Sequence, residues 1–174
     1  MRKLKNNELA RISAEDFKSA TKTPIIVVLD NVRSAMNVGS VFRTADAFII
    51  EKIYLCGITA TPPNKEIMKT ALSANDSIDW EYIKDTKDII AKLKGEKHHI
   101  IGVEQTKNAT FLNNFEPLNK KVVLVFGHEV FGVSQEVIDL CDECIEIQQF
   151  GTKHSLNISV SVGIVLWEVY QKMN

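Results

Sequence analysis

Two continuous apolar runs, at residues 25–29 and 122–126, constrain the fold of this chain more than any other feature of its sequence. Each run is five residues long and carries no polar side chain on either face, which is typical of a strand buried on both sides in a parallel sheet. Further strands, with helical patterns between them, are predicted at residues 52–56, 79–83, 98–103 and 144–147. Because strands alternate with helices, we predict an α/β fold with a mainly parallel sheet.

The helical patterns have recognisable ends. Ser13, ahead of Glu15 and Asp16, is a candidate cap within residues 6–20. Asn37 is the predicted N-cap of the second helix, and Gly95 is expected to close the fourth. In the last helix an apolar spacing of three and four residues predicts a packing face at Leu156, Val160, Gly163 and Trp167. Helices are predicted at residues 6–20 (one short amphipathic helix, or two), 38–48, 65–72, 86–94, 134–141 and 156–172.

Charged residues are unevenly distributed along the chain. The 174 residues carry a formal net charge of −1, which gives no general attraction to nucleic acid or acidic lipid. Residues 1–22 are an exception, with six basic side chains against three acidic ones. We therefore expect a basic N-terminal helical extension (1–22) followed by one domain (23–174). The start lacks the apolar core of a signal peptide and no stretch is long enough to span a bilayer, so we expect a cytoplasmic protein without a membrane partner.

Three polar loops follow apolar strands, where a parallel sheet places its ligands. They cover residues 30–43, 127–132 and 151–157. None has the pattern of a phosphate-binding P-loop or of the usual dinucleotide site. Ser155, His154 and Glu129 resemble a hydrolytic triad in composition only, because no Gly-x-Ser-x-Gly elbow accompanies them.

The loops are rich in glycine and in small polar side chains, which suits a neutral or zwitterionic nucleoside. Arg43 has two interpretations at this stage: it holds a nucleic-acid phosphate through its planar fork, or it pairs with Asp46 or Glu51. A single Cys-x-x-Cys, at Cys141 and Cys144, has no second pair. We therefore expect reduced, partly buried thiols and no metal site.

With these loops in view, the sequence resembles the SPOUT superfamily, in its SpoU/TrmH branch of RNA ribose 2′-O-methyltransferases. Three family motifs match in order, at residues 37–45, 125–133 and 145–159. The resemblance implies an α/β-knot fold in which the C-terminal segment forms a deep trefoil knot. It also implies S-adenosylmethionine as cofactor, a homodimer, and a tRNA or rRNA substrate. The basic residues 1–22 are then expected to help hold that RNA, with a strong dependence on salt.

The resemblance also assigns individual residues. Those matching the family's cofactor-binding positions are Glu104, Gln105, Gly127, Ile147 and Leu156. Those matching its catalytic and polar site positions are Arg43, Asn37, Glu129, Ser155 and Asn157. This chain departs from the family where His128 and Val130 replace Asn and Gly of the second motif, and where Gln148 replaces Pro of the third.

Two other functions fit parts of this pattern. A non-catalytic, knotted RNA-binding or ribosome-assembly protein would keep the fold, but the matching polar residues argue against it. A methyltransferase acting on a base is disfavoured because residues 37–45 match the ribose-directed branch.

Overall fold

The computed structural model describes residues 1–118 and 121–173. Its seven strands, in chain order, are β1 (Thr23–Asp30), β2 (Ile50–Cys56), β3 (Trp80–Ile83), β4 (His99–Val103), β5 (Thr110–Phe111), β6 (Val122–Phe126) and β7 (Glu143–Glu146). They form one sheet in the order β3-β2-β1-β6-β4-β7-β5, and all neighbouring pairs are parallel. The predicted parallel α/β fold is confirmed.

The helices lie on both faces of this sheet. In chain order they are α1 (Ala14–Ser19), α2 (Ala35–Ala47), α3 (Lys65–Ala71), α4 (Ala74–Ser77), α5 (Thr86–Gly95), α6 (Gln135–Ile138) and α7 (Ile158–Met173). Two short 3₁₀ turns cover Asn6–Glu8 and Leu112–Asn114. The strand β5 and the helix α4 were not predicted, because a two-residue strand and a four-residue helix leave no periodic pattern to detect.

The two apolar runs that predicted the fold lie side by side at the centre of the sheet. Val27 of β1 pairs with Leu124 of β6, and both side chains are fully buried. Alternate residues of these strands point to opposite faces. One face packs against α1, α2 and α7, and the other packs against α5 and α6. A strand covered by helices on both faces must be apolar at every position, which is why these runs lack alternation.

Two helix ends differ from the prediction. The N-cap of α2 is Ser34, whose hydroxyl accepts a hydrogen bond from the backbone N–H of Asn37. Asn37 therefore lies in the first turn of α2, and its side chain is available for other contacts. Gly95 is the last residue of α5, and the positive φ angle that follows the helix belongs to Lys97.

The predicted packing face of α7 is wrong. The side chains of α7 that enter the core are Ile158, Val162, Val165, Leu166 and Val169. Val160 and Trp167 are instead about half exposed, at 50% and 55%. Both faces of this helix are apolar, so spacing alone did not distinguish the one that meets the sheet. The exposed stripe of α7 is Val160, Gly163, Ile164 and Trp167.

Residues 1–22 are attached to the main core. Ser13 caps α1 by accepting a hydrogen bond from the backbone N–H of Asp16, as its position in the sequence predicts. Phe17 of α1 is buried among the residues under α2 and α7. Lys22 hydrogen-bonds to the Phe17 carbonyl and stacks over its ring.

The three cysteines are free thiols. Burial raises the pKa of Cys56 and of Cys141 to about 12. In the part of the chain that the structure describes, no helix combines the length and the hydrophobicity needed to cross a bilayer.

Candidate active site

The carboxyl ends of four neighbouring strands meet at one edge of the sheet. Leu29 of β1 is level with Phe126 of β6, and Val103 of β4 is level with Ile145 of β7. The loops leaving β4, β6 and β7 therefore start side by side, and they enclose a cavity of about 310 Å³. Seven of the predicted site residues line this cavity: Glu104, Gln105, Gly127, Glu129, Ile147, Ser155 and Leu156.

Glu129 joins the loop after β6 to the start of α2. Its carboxylate accepts hydrogen bonds from the backbone N–H groups of Arg33 and Ser34, both at 2.9 Å, and from the Asn37 side-chain amide at 3.0 Å. Burial by itself raises the pKa of Glu129, but these donors outweigh it and hold the pKa below the ordinary glutamate value. The carboxylate is thus a charged acceptor near neutral pH. Among the described residues no hydrogen bond joins Glu129 to His154, so the arrangement that a hydrolytic triad requires is not formed.

Asn37 connects Glu129 to the third motif. Its Oδ1 accepts a hydrogen bond from the Asn157 side-chain amide at 3.2 Å. Asn157 in turn accepts from the backbone N–H and the hydroxyl of Ser159, at 2.9 and 2.6 Å. Glu129, Asn37, Asn157 and Ser159 thus form a continuous polar chain, which starts at Glu129 in the lining of the cavity and runs beside it. It brings together residues from all three motifs, and its Asn37–Asn157 bond joins residues 120 positions apart.

Glu104 forms a second polar wall. Its carboxylate accepts hydrogen bonds from the backbone N–H groups of Val133 and Gln105, both at 2.9 Å. Gly132 lies directly against it, so a Cβ added there would be 2.1 Å from the Glu104 Oε2 atom. Gly132 also has a φ of +67°, a conformation that residues with a side chain rarely adopt. Both facts explain why a glycine occupies this position.

Gly127 permits a close approach of two backbone segments. A Cβ at this position would lie 2.1 Å from the carbonyl carbon of Gly132 and from the nitrogen of Val133. The loop is closed by two backbone hydrogen bonds between His128 and Gly132, at 3.0 and 2.8 Å. The 127–132 loop is therefore a compact turn whose backbone forms one side of the cavity.

His128 is held inside this turn. Its Nδ1 accepts a hydrogen bond from the backbone N–H of Val130 at 3.0 Å, and its ring packs against that of Phe131 at 4.9 Å between centroids. Val130 and Phe131 are both largely exposed at the mouth of the cavity. The replacement of the family's Asn and Gly thus gives this loop an apolar rim.

The loop after β7 closes the opposite side. The Gln105 side-chain amide donates to the His154 carbonyl at 2.9 Å, which links this loop to β4. Ser155 and Leu156 follow and face the cavity, and Leu156 is 38% exposed. Leu156 precedes α7, and residues 151–156 belong to no helix or strand, so their backbone N–H and C=O groups are not used by a helix or a sheet.

Arg43 is the one predicted site side chain that lies in a different depression. It contributes to a groove of about 400 Å³ between α2, α3 and the first turn of α7. Among residues 1–118 and 121–173 no carboxylate forms an ion pair with Arg43. The alternative pairing of Arg43 with Asp46 or Glu51 is therefore wrong, and the basic groups whose charge lowers the pKa of Asp46 are Lys22 and Arg11. The groove and the cavity both border the polar chain that ends at Ser159.

Sequence reasoning missed several residues of this region. The backbone N–H groups of Arg33 and Ser34 hold Glu129, but a backbone group carries no sequence signal. Lys69 of α3 lies in the groove with Arg43. Its charge was visible in the sequence, but nothing local showed that α3 packs beside α2.

Comparison with known proteins identifies the family. A model of the SpoU rRNA methylase family matches residues 24–167. An uncharacterized tRNA/rRNA methyltransferase of Borreliella burgdorferi is 25% identical over 99% of this chain and 77% of its own length. The chain spans 58% and 60% of the length of TrmH-family relatives from Staphylococcus aureus and Bacillus subtilis.

Two solved structures share the fold. The TrmH/SpoU tRNA modifying enzyme of A. aeolicus superposes with a TM-score of 0.80, at 26% identity, over 91% of this chain and 79% of that one. An AdoMet-bound rRNA methyltransferase of Sinorhizobium meliloti gives a TM-score of 0.82, at 25% identity, over 91% of this chain and 60% of that one. The match of the family model covers most of the sequence and all three loops of the site, and it confirms the resemblance described above. The chain belongs to the SpoU rRNA methylase family.

Proposed function

We propose that this protein transfers a methyl group from S-adenosylmethionine to the 2′-hydroxyl of a ribose in tRNA or rRNA, in the cytoplasm. The observation that carries this proposal is the polar chain Glu129–Asn37–Asn157. It joins the three family motifs at the rim of a cavity suited to a nucleoside. Family membership supports RNA methylation, and the match of residues 37–45 to the ribose-directed branch supports the 2′-hydroxyl as acceptor.

The cavity fits S-adenosylmethionine in size and chemistry. Its volume of about 310 Å³ is within the range of small-molecule sites. Gly127, Ile147 and Leu156 would hold the cofactor largely through backbone groups, and Glu104 and Gln105 would border the same site. When bound, the cofactor supplies an electrophilic methyl group on a sulfonium. The polar chain supplies neutral amides and one carboxylate, that of Glu129, which already accepts three hydrogen bonds.

The residues of this chain have an orienting role in the reaction. Methyl transfer needs the 2′-oxygen held in line with the methyl group, which is mainly a problem of position. Ser155 lines the cavity, and Asn157 adjoins it between the lining residues Leu156 and Ile158, where a ribose would enter. Arg43 is exposed and unpaired among the described residues, and we assign it to the phosphate beside the target ribose. A guanidinium stays protonated at neutral pH, so it serves as a phosphate ligand rather than as a base.

Replacing Arg43 with lysine tests this role. Arg43→Lys keeps the positive charge and removes the two-pronged hydrogen bonding, so we expect a loss of single-turnover rate of about 10-fold or more. The cofactor affinity should be unchanged because Arg43 does not line the cavity. A near-normal single-turnover rate in Arg43→Lys would show that bidentate hydrogen bonding by the guanidinium is not needed.

We propose a homodimer formed through the exposed stripe of α7. Val160, Ile164 and Trp167 present contiguous apolar surface beside an open groove of about 480 Å³, and such surfaces commonly mark interfaces. A charged substitution in this stripe, Trp167→Glu, should reduce the mass measured by analytical ultracentrifugation from that of a dimer to that of one chain. An unchanged mass would assign the dimer to another surface. The trefoil knot stays a prediction of the family resemblance.

We also propose that the basic extension, residues 1–22, contributes to RNA binding ahead of the methyltransferase domain at 23–174. Arg2 is exposed but paired with Glu8, and Lys22 packs on Phe17. The exposed basic groups outside these two contacts are Lys3, Lys5, Arg11 and Lys18. Because Phe17 is part of the core, substitution is a better test than deletion. A Lys3→Gln, Lys5→Gln double variant should lower RNA affinity at low salt and leave the melting temperature unchanged. An unchanged affinity would exclude this role.

A methyl-transfer assay tests the activity as a whole. Transcribed tRNA and rRNA fragments would be incubated with radiolabelled S-adenosylmethionine, and the product digested with alkali. A 2′-O-methyl group blocks cleavage at its own nucleotide, so the label should appear in an alkali-resistant dinucleotide. Label recovered in a mononucleotide would indicate base methylation. Absence of transfer, with no binding of S-adenosylmethionine or S-adenosylhomocysteine at millimolar ligand in calorimetry, would favour the non-catalytic RNA-binding protein.

A further inference from the structure

The groove that contains Arg43 is built by a close contact between two helices. Gly39 of α2 faces α3, and a Cβ added there would lie 2.1 Å from the Thr70 hydroxyl and 2.4 Å from the Ile67 carbonyl oxygen. Thr70 also donates a hydrogen bond to the Met36 carbonyl at 2.9 Å. These contacts fix α3 directly against α2. They place Lys69, the neighbour of Thr70, on the wall opposite Arg43 in the groove of about 400 Å³.

Lys69 and Arg43 differ from the basic side chains of the domain that form ion pairs within the described residues. Lys52, Lys87, Lys94 and Lys172 each lie within 4 Å of a carboxylate. In residues 1–118 and 121–173, neither Arg43 nor Lys69 has such a partner, and no acidic side chain lines their groove. Two like charges in one groove repel each other unless an anion lies between them. The groove is therefore complementary to a negatively charged ligand.

The remaining groups of the groove are already oriented. The hydroxyls of Ser40 and Thr70 donate to the Met36 carbonyl, and that of Thr44 donates to the Ser40 carbonyl. The Ser159 hydroxyl donates to Asn157. The donors left for an anion are thus the guanidinium of Arg43 and the ammonium of Lys69. Leu72 and Val160 add apolar surface at the edges.

The groove is continuous with the catalytic rim. Ser159 belongs to the wall of the groove and hydrogen-bonds to Asn157, which bonds Asn37 at the cavity. Asn37, Ser40 and Thr44 follow one side of α2 at intervals of three and four residues. A nucleotide whose ribose lies at Asn157 would therefore direct its phosphodiester along this side of α2 into the groove.

We propose that Lys69, together with Arg43, binds an RNA phosphodiester next to the target nucleotide, and that α3 is consequently an RNA-contacting element of this domain. The proposal rests on the function proposed above, because it takes RNA as the ligand. It adds a residue and a helix that none of the three family motifs contains. Lys69 contributes to substrate affinity, whereas the cofactor cavity on the other side of the polar chain is independent of it.

Lys69→Gln tests this assignment, with Lys65→Gln as the matched control. Lys65 is an exposed lysine of the same helix that does not line the groove. A single phosphate contact contributes about 0.7 to 0.9 to the slope of log affinity against log salt, which amounts to a factor of about 5 to 8 at 0.1 M salt. We expect Lys69→Gln to weaken RNA binding by about that factor and to lower the slope by nearly one. Lys65→Gln should change neither quantity by a comparable amount.

Three further measurements separate the possible outcomes. The affinity for S-adenosylmethionine in calorimetry and the melting temperature should be the same in both variants and the unmodified protein. Equal effects of Lys69→Gln and Lys65→Gln on RNA affinity, or an unchanged salt slope, would overturn the proposal. A change of oligomeric mass in Lys69→Glu would also overturn it, since the groove would then be a contact between chains.

The same experiments distinguish this proposal from the proposed function. If the unmodified protein bound RNA but transferred no methyl group, and the binding depended on Lys69, the methyltransferase function would fail and the phosphate site would stand. If methyl transfer proceeded with the same KM for RNA in Lys69→Gln and the unmodified protein, the phosphate site would fail and the function would stand.

Discussion

The substitution Glu129→Gln measures how much the link between the first and second motifs contributes to stability. The carboxylate accepts three hydrogen bonds, from the Arg33 and Ser34 backbone and from the Asn37 side chain. Glutamine has one acceptor oxygen. Placed at the Oε1 position, that oxygen keeps the bonds from Ser34 and Asn37, while the amide NH₂ group faces the Arg33 N–H. One hydrogen bond to a charged acceptor is lost and two donors oppose each other.

The expected cost follows from that count. A hydrogen bond to a charged group contributes about 1.5–3 kcal/mol. The Glu129 side chain is partly exposed, so water replaces some of the lost interaction, and we expect a decrease of about 1–2 kcal/mol in the free energy of unfolding at pH 7. For a domain of this size that corresponds to a decrease of roughly 2–8 °C in melting temperature.

The effect should depend on pH in a defined direction. The folded-state pKa of Glu129 is lowered, so its contribution is fully present above the ordinary glutamate pKa of about 4.3 and is lost as the pH falls through the folded value. Below the folded-state pKa, the side chain of Glu129 is a neutral carboxylic acid, whose hydrogen-bonding capacity is similar to that of the glutamine amide. The difference in unfolding free energy between the two proteins should therefore shrink between pH 5 and acid conditions.

Urea titrations of both proteins at pH 7, 5, 4 and 3, followed by circular dichroism, measure this difference across the pH range in which it should be lost. Glu136→Gln is a suitable control, because Glu136 is an exposed carboxylate that pairs only with Lys87 at the surface. A difference that stayed constant with pH would refute the assignment of the stability to the ionised carboxylate. A difference below about 0.5 kcal/mol at pH 7 would refute the hydrogen-bond count.

Other predictions concern the packing of the site and the thiols. Gly132→Ala should reduce the affinity for S-adenosylmethionine at least about 10-fold in calorimetry. The added Cβ would displace the Glu104 carboxylate, and the Gly132 φ angle of +67° is strained for alanine. An unchanged affinity would show that Glu104 is not part of the cofactor site. Gly39→Ala should lower the free energy of unfolding by about 1–3 kcal/mol, since α3 must move away from α2; an unchanged urea midpoint would contradict that contact. Cys56 and Cys141, with pKa values raised to about 12, should react with iodoacetamide at pH 8 at least about 100-fold more slowly than free cysteine; comparable rates would contradict their burial.

The elements with the strongest local signal were predicted correctly. The runs at 25–29 and 122–126 are apolar because both faces of the sheet are covered, and that requirement is visible in the sequence itself. The predicted Ser13 cap was correct for a similar reason, since its partner Asp16 is only three residues away. The motif residues were recognised because their identities, in order, are properties of the sequence alone.

The predicted burial or role of a residue was wrong where it depends on parts of the chain that are distant in sequence. Both sides of α7 carry apolar residues, so only the packing of the helix on the sheet shows that Val162 is buried and Trp167 is exposed. Asn37 was assigned to a cap because its position beside a helix suggested one. In the fold, Ser34 takes that role and Asn37 bonds Glu129, 92 residues away.

Whether a feature can be predicted from the sequence depends on how far apart along the chain the interacting residues lie. The sequence by itself determined the parallel α/β class, the order of the motifs and the residue types available for a nucleoside site, because continuous hydrophobicity and side-chain identity are local. Only the tertiary structure decided that Glu129 and Asn157 both hydrogen-bond to Asn37, and that Arg43 shares a separate groove with Lys69. These arrangements depend on loops from four strand ends meeting at one edge of the sheet and on the close contact at Gly39. No single stretch of the sequence contains that information.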